Sequence, residues 1–297
     1  QMKPIIKMLS MALMVSMVWG KGKKIFISAD MEGVVGAVTG EQLGPSGFEY
    51  QRFREFMTAE VNAAIQAARK AGATEILVAD SHGNGQNLLF EKLPKDVQVI
   101  RSWPRPLGMM EGIDKSFDGA IFLGYHASTD NMTGVRAHTF SSARVTSIKV
   151  NGQAMTEGSW NAAIAGHFDV PIILVSGDDA AVAEVKSLVG DIEGAVVKES
   201  ISFHSAKTLH PEAAYDLIAE KTNTAVKNIK DYKPYRIRGP VTVEVSFKHY
   251  QPAEILAYLD MFERVASHTI SFKARNMVEA SKIMRVVLGY NGGNSKP

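Results

Sequence analysis

Hydrophobic positions along the chain fall into short two-sided apolar runs separated by stretches of helical periodicity. Residues 24–29 form one such run, as expected of a strand buried on both faces of a parallel sheet. Phe53, Phe56, Met57, Val61, Ala64, Ile65 and Ala68 then recur at helical spacing, and Gly72 stands where a helix C-cap belongs. Residues 75–79 are a second buried strand, which completes a βαβ unit. Further strands are predicted over 97–101 and 119–123. Asn151-Gly152, set between alternating residues, predicts a hairpin over 145–155. A helix over 157–167, a strand over 172–175 and a helix over 180–188 continue the pattern.

Beyond about residue 205 the texture changes. A helix from 211 to about 228 leads into a charged linker, 230–238, and residues 241–247 alternate cleanly, as in a strand with one wet face. Two more helices and a strand over 269–273 follow. The expectation is an α/β protein, a three-layer αβα sheet over 21–205, with a smaller α+β portion, 206–297, packed on it.

Composition narrows the function. The chain has 297 residues, 45% hydrophobic and 22% charged, enough apolar material for a large core. Net charge is only +2 and no basic run is present in the folded part, which argues against nucleic-acid binding. With no cysteine, disulfides, thiolate metal sites and a Cys nucleophile are excluded. Residues 1–20 carry Lys3 and Lys7 before an uncharged apolar run, with Val18 and Gly20 at the small positions of a cleavage site. That order predicts a secretory signal and export to the periplasm or beyond, since the run is short of the ~20 apolar residues of a membrane span.

Candidate chemistry gathers at strand ends. Asp30 and Glu32 stand two apart, so in extended geometry both point the same way. Two carboxylates on one face repel unless a cation or a proton lies between them, although a solvated turn is the simpler account of a single Asp-x-Glu. His82 follows Asp80-Ser81 and precedes a glycine-rich turn, where Asp80 can orient a ligating imidazole from behind; a surface turn histidine fits equally well. His126 ends a strand as Gly124-Tyr125-His126, and a half-buried structural histidine is its plainer reading. Glu157 opens a helix, where the dipole alone accounts for an acid. His138 lies in a polar stretch, by default a surface loop, and Asp178 and Asp179 cap the following helix. His167, His204, His210, His249 and His268 read as structural or surface residues.

The combination says more than its parts. Three strand ends presenting Asp-x-Glu, His and His, in a chain with eight histidines, point to a metal centre in the crevice beyond the sheet. Mixed imidazole and carboxylate donors suit zinc, manganese or iron. The surplus of carboxylates points to two metals, ~3.5–4 Å apart with one carboxylate bridging, able to activate water against a carbonyl or phosphoryl group.

The motifs Ser28-Ala29-Asp30-Met31-Glu32-Gly33, Asp80-Ser81-His82, Gly124-Tyr125-His126-Ala127, Ala137-His138-Thr139 and Glu157 with Asn161-Ala162 resemble those of the zinc-dependent D-aminopeptidases of the DppA type. The likeness runs from about residue 24 to the last helix. It implies two zinc ions per subunit, held by Asp30, Glu32, His82, His126 and Glu157 with Asp30 bridging. It also makes His138 the catalytic residue, as nucleophile or general base. An acid/base or intermediate-stabilising role suits His138 better, because metal-activated water can serve as nucleophile. The resemblance further implies ring-like homo-oligomers that enclose the active sites and admit only short peptides. The expected protein is therefore an exported aminopeptidase that removes N-terminal D-residues, such as D-alanine, from short peptides, without stable membrane insertion once the signal is removed. Two alternatives stand beside it. One is another dinuclear hydrolase, a phosphoesterase or amidase. The other is an exported solute-binding protein, which would need two similar lobes where only one βαβ-rich lobe is visible.

Overall fold

The computed structural model describes residues 22–289, so the segment read as a signal lies outside the described residues. The chain runs β1 (Lys23–Ala29), α1 (Gly40–Leu43), α2 (Tyr50–Lys70), β2 (Ala73–Asp80), β3 (Gln98–Ile100), β4 (Gly119–Tyr125), β5 (Val145–Val150), β6 (Gln153–Ala154), α3 (Glu157–His167), β7 (Ile172–Asp178), α4 (Asp179–Val189), β8 (Glu193–Ser202), β9 (Ser205–Thr208), α5 (Pro211–Lys227), β10 (Val241–Phe247), α6 (Tyr250–Leu256), β11 (Glu263–Ala266), β12 (Thr269–Ala274) and α7 (Met277–Gly289).

One sheet has the order β3-β2-β1-β4-β7-β8-β9 and is parallel except for its last pair. Strand side chains alternate between faces. Ile25, Ile27, Ile121 and Leu123 accordingly pack with Val61 and Ile65 of α2 and with Ile218 and Val226 of α5. Phe26, Ala120 and Phe122 point the other way, into a core shared with Trp160 and Ile164 of α3 and Val182 and Val185 of α4. The result is the expected three-layer α/β arrangement. From β1 the chain builds outward through β2 and β3, then returns to β1's other side with β4. The strand order therefore reverses between β1 and β4, and a crevice opens beyond their carboxyl ends.

A second, antiparallel sheet has the order β11-β12-β10-β5-β6. Val241, Val243, Val245 and Phe247 bury its inner face, in the same core as Phe272 of β12 and Met284 of α7. The division between the two sheets does not fall at residue 205. Strands β5 and β6 precede that point yet belong to the small sheet, and α5 follows it yet packs on α2 and β8. The hairpin finds its partner only in β10, where Val150 faces Val243 and Ile148 faces Val245. Local periodicity carries no trace of that distant pairing.

Strands β8 and β9 also lie outside the sequence expectation, because Lys198 interrupts the apolar run of Ala195 to Val197. The structure buries that lysine instead, with its Nζ donating to the backbone carbonyls of Glu32, Val34 and Ala37. All four residues of β11 are exposed, which leaves no alternation to read. Among the described residues no helix is long and apolar enough to cross a membrane.

Candidate metal centre

Asp30 immediately follows β1 and His126 immediately follows β4, so both stand at the point where the strand order reverses. Their neighbourhood depends on two glycines. The Gly33 amide donates to the Gly124 carbonyl at 2.7 Å, and a Cβ on Gly33 would lie 2.1 Å from the Tyr125 carbonyl oxygen. Gly124 has φ +66°, and a Cβ there would meet the Asp30 carbonyl oxygen at 2.3 Å. Only glycine permits this backbone approach, and it brings the Asp30–Glu32 turn against His126.

Asp30, Glu32, His82, His126 and Glu157 are all buried, and His138 is largely so. The six fall into two groups, Asp30, Glu32 and His82 in one and His126, His138 and Glu157 in the other, with the possible ligand atoms of each group within 4.8 Å of one another. Asp30 joins them. Its Oδ1 lies 3.2 Å from His82 Nδ1 and its Oδ2 lies 3.4 Å from His126 Nε2. Glu32 Oε2 is 2.8 Å from His82 Nδ1. Glu157 Oε1 is 3.3 Å from His126 Nε2 and 3.7 Å from His138 Nε2.

Each imidazole is oriented by a backbone carbonyl. His82 Nε2 lies 2.6 Å from the Leu43 oxygen, His126 Nδ1 lies 2.9 Å from Ala127 O, and His138 Nδ1 lies 2.8 Å from Arg136 O. A carbonyl only accepts, so the nitrogen facing it carries the hydrogen. In the neutral ring the other nitrogen then presents its lone pair to the carboxylates, an arrangement that repels unless a proton or a cation lies between. Three lone pairs and three carboxylates converging in this way are a donor set that fits zinc and related ions, with the ligand tautomers held from behind.

The electrostatics agree with that fit. Burial, then the charge of Glu32, pushes Asp30 up to about 7. Burial also works against ionised Glu32, but the charge and hydrogen bond of His82 outweigh it and hold Glu32 well below the usual range. Burial opposes the charged form of His126 too, yet Glu157 and Asp30 raise it to about 10. His82 is likewise raised, against its burial, chiefly by Glu32. His138 moves the other way, lowered by burial and by the neighbouring charge of His126, on which its ring stacks at 3.9 Å.

Some sequence assignments change. Asp80 does not touch the His82 ring. It accepts from the amides of Asn87 and Leu88 at 2.6 and 2.7 Å and so shapes the loop after His82, while the Leu43 carbonyl, which no motif marks, orients the ring. Asp178 caps α4 as expected, accepting from Ala181 N at 2.8 Å, and also holds Val135 N at 2.6 Å. Asp179 instead accepts from Ser200 N of β8. Glu157 opens α3, but its carboxylate turns into the cluster and accepts from Phe140 N at 2.7 Å.

The cluster forms the floor of a cavity of about 480 Å³. Trp103, Met109, Phe140, Arg144 and Arg285 line it as well, none of them marked by strand-end spacing. Trp160 does not; it is buried and packs edge-on against Phe140 at 5.8 Å.

A buried imidazole–carboxylate cluster at the switch point of an open α/β sheet defines an enzyme-like class of candidate metal centre. Residues 23–286 match the D-aminopeptidase family model. The chain is 36% identical to a D-aminopeptidase of Bacillus subtilis (strain 168) over 265 residues, 89% of this chain and 96% of that protein. It also superposes with a TM-score of 0.86 and 35% identity on a solved structure described as the Zn-dependent D-aminopeptidase DppA from Bacillus subtilis, a self-compartmentalizing protease, covering 90% of this chain and 97% of that one. The chain belongs to the D-aminopeptidase family and is a peptide hydrolase. The phosphoesterase and solute-binding alternatives fall with that membership.

Proposed function

We propose that the protein is a zinc-dependent aminopeptidase with a dinuclear site, removing N-terminal D-residues such as D-alanine from short peptides. One observation carries the dinuclear reading: the two carboxylate oxygens of Asp30 face different imidazoles, one in each ligand group. In this reading Asp30 bridges, Glu32 and His82 complete one position, and His126 and Glu157 hold the other. Bound zinc would supply Lewis acidity toward the scissile carbonyl and a water of lowered pKa.

His138 is assigned the proton-carrying role. Its place among His126 and Glu157 also suits a ligand, but its side chain is the more exposed, 13% against 1% for His126. Its lowered pKa keeps Nε2 free to accept a proton at neutral pH. The variants decide between the roles. His138→Ala should keep its zinc and lose hydrolysis by about 10²–10⁴-fold, whereas Asp30→Ala should lose both. Loss of one zinc from His138→Ala would make His138 a ligand, and full activity would remove it from the mechanism.

Assembly into an enclosing oligomer is also proposed. The solved relative is described as self-compartmentalizing, and Tyr258, Leu259, Met261 and Val286 expose an apolar surface around α6 and α7 in this chain. Export is proposed from the pattern of residues 1–20 alone.

A further inference from the structure

We propose that Arg285 is a specificity-determining residue that anchors the free C-terminal carboxylate of a dipeptide substrate. The proposal rests on the peptidase reading above and names the substrate class for the same cavity. Arg285 projects from α7, in the small-sheet half of the molecule, into the cavity whose floor is the acidic cluster. Its guanidinium lies 5.3 Å from the centre of the Phe140 ring and 5.9 Å from that of Trp103. Its Nε is buried without a hydrogen-bond partner, and among the described residues the group forms no ion pair. An arginine stays charged in proteins, and a buried guanidinium nitrogen without an acceptor is costly. An acceptor supplied by a ligand would offset that cost.

Both aromatic walls are tied to segments that carry candidate ligands. The Phe140 amide donates to Glu157, and the Trp103 indole donates at 2.8 Å to the carbonyl of Gly83, next to His82. The guanidinium therefore shares its walls with the centre it faces. Arg285 is a cation on the α7 side of the cavity, with the candidate ligand cluster on its floor. With the scissile bond at that cluster, the substrate's C-terminal carboxylate faces the α7 side, and a carboxylate matches the planar fork of arginine donors. An extended dipeptide spans only about 7 Å, so a two-residue substrate places its carboxylate close to the scissile bond. A blocked C-terminus forfeits the pairing.

The test compares kcat/KM for the D-alanyl-D-alanine dipeptide and for its C-terminal amide, using zinc-loaded wild type, Arg285→Met and Arg285→Lys. Wild type should favour the free acid by about 10–100-fold, the value of a charge-assisted pair. Arg285→Met should collapse that ratio, chiefly through KM for the acid, and Arg285→Lys should restore part of it. A folding defect lowers both substrates together and leaves the ratio alone; Arg285→Gln, polar and uncharged, gives the same comparison if the Met variant does not fold. A wild-type ratio in the Met or Gln variant overturns the proposal. So does equal use of acid and amide by wild type, with the aminopeptidase reading intact. Hydrolysis of neither compound by wild type would instead overturn that reading, and the proposal with it.

Discussion

Glu60→Gln should make the protein more stable at alkaline pH while changing little near pH 5. Glu60 lies in α2, 1% exposed, behind the turn that carries Glu32. Its Oε1 accepts the Val35 amide at 2.9 Å, and its Oε2 is buried without a hydrogen-bond partner. Burial raises its pKa from 4.5 to about 7, against the smaller lowering effects of the Val35 amide and Lys198. Below 4.5 the carboxyl is protonated in both folded and unfolded chains, and no penalty arises. As pH rises toward 7 the unfolded chain ionises first, so stability is lost across that window and stays lost above it. At about 1.4 kcal/mol per pKa unit the full loss is about 3 kcal/mol. Glutamine keeps the acceptor for Val35 and cannot ionise. The assay is thermal or urea unfolding of wild type and Glu60→Gln at pH 5 and pH 9. The difference between the two proteins should grow by about 2–3 kcal/mol from the lower to the higher pH. Taking the difference at each pH removes titrations common to both proteins. A difference that stays constant with pH would refute the account of Glu60.

Two further outcomes test the architecture of the centre. Gly33→Ala sets a methyl group against the Tyr125 carbonyl; a loss of about 1–3 kcal/mol in unfolding is expected, together with weakened zinc binding in a chelator competition, and wild-type affinity would contradict the coupling of this contact to the cluster. Zinc affinity should also rise with pH. In chelator-stripped protein His82 and His126 are held above the ordinary histidine range and carry protons at neutral pH, and Asp30, raised to about 7, keeps its proton below that value. Each proton that zinc displaces adds about a tenfold gain in apparent affinity per pH unit. Calorimetry in buffers of different protonation enthalpy reads the protons released, and pH-independent affinity would contradict the reading.

The main sheet is legible in the sequence because a strand buried on both faces writes a continuous apolar run, as residues 24–29 and 119–123 do. The strand-end carboxylates and histidines are legible because strand ends place them at the crevice, whereas Glu157 and His138 stand out chiefly through the family resemblance. Several features left no local trace. Lys198 breaks the apolar run of β8 because its ammonium is satisfied by carbonyls more than 160 residues away in sequence. The Leu43 carbonyl orients His82 through backbone chemistry that every residue shares. Arg285 enters the cavity from α7, which packs on α3 and on β10 and β12 of the small sheet, an arrangement that local periodicity does not record.

We propose a two-zinc centre that hydrolyses D-aminoacyl peptides. It is tested most directly by titrating zinc into chelator-stripped protein while following hydrolysis of a D-alanyl substrate. Activity should climb to a plateau at two zinc ions per subunit. A plateau at one, or full activity in the stripped protein, would contradict it.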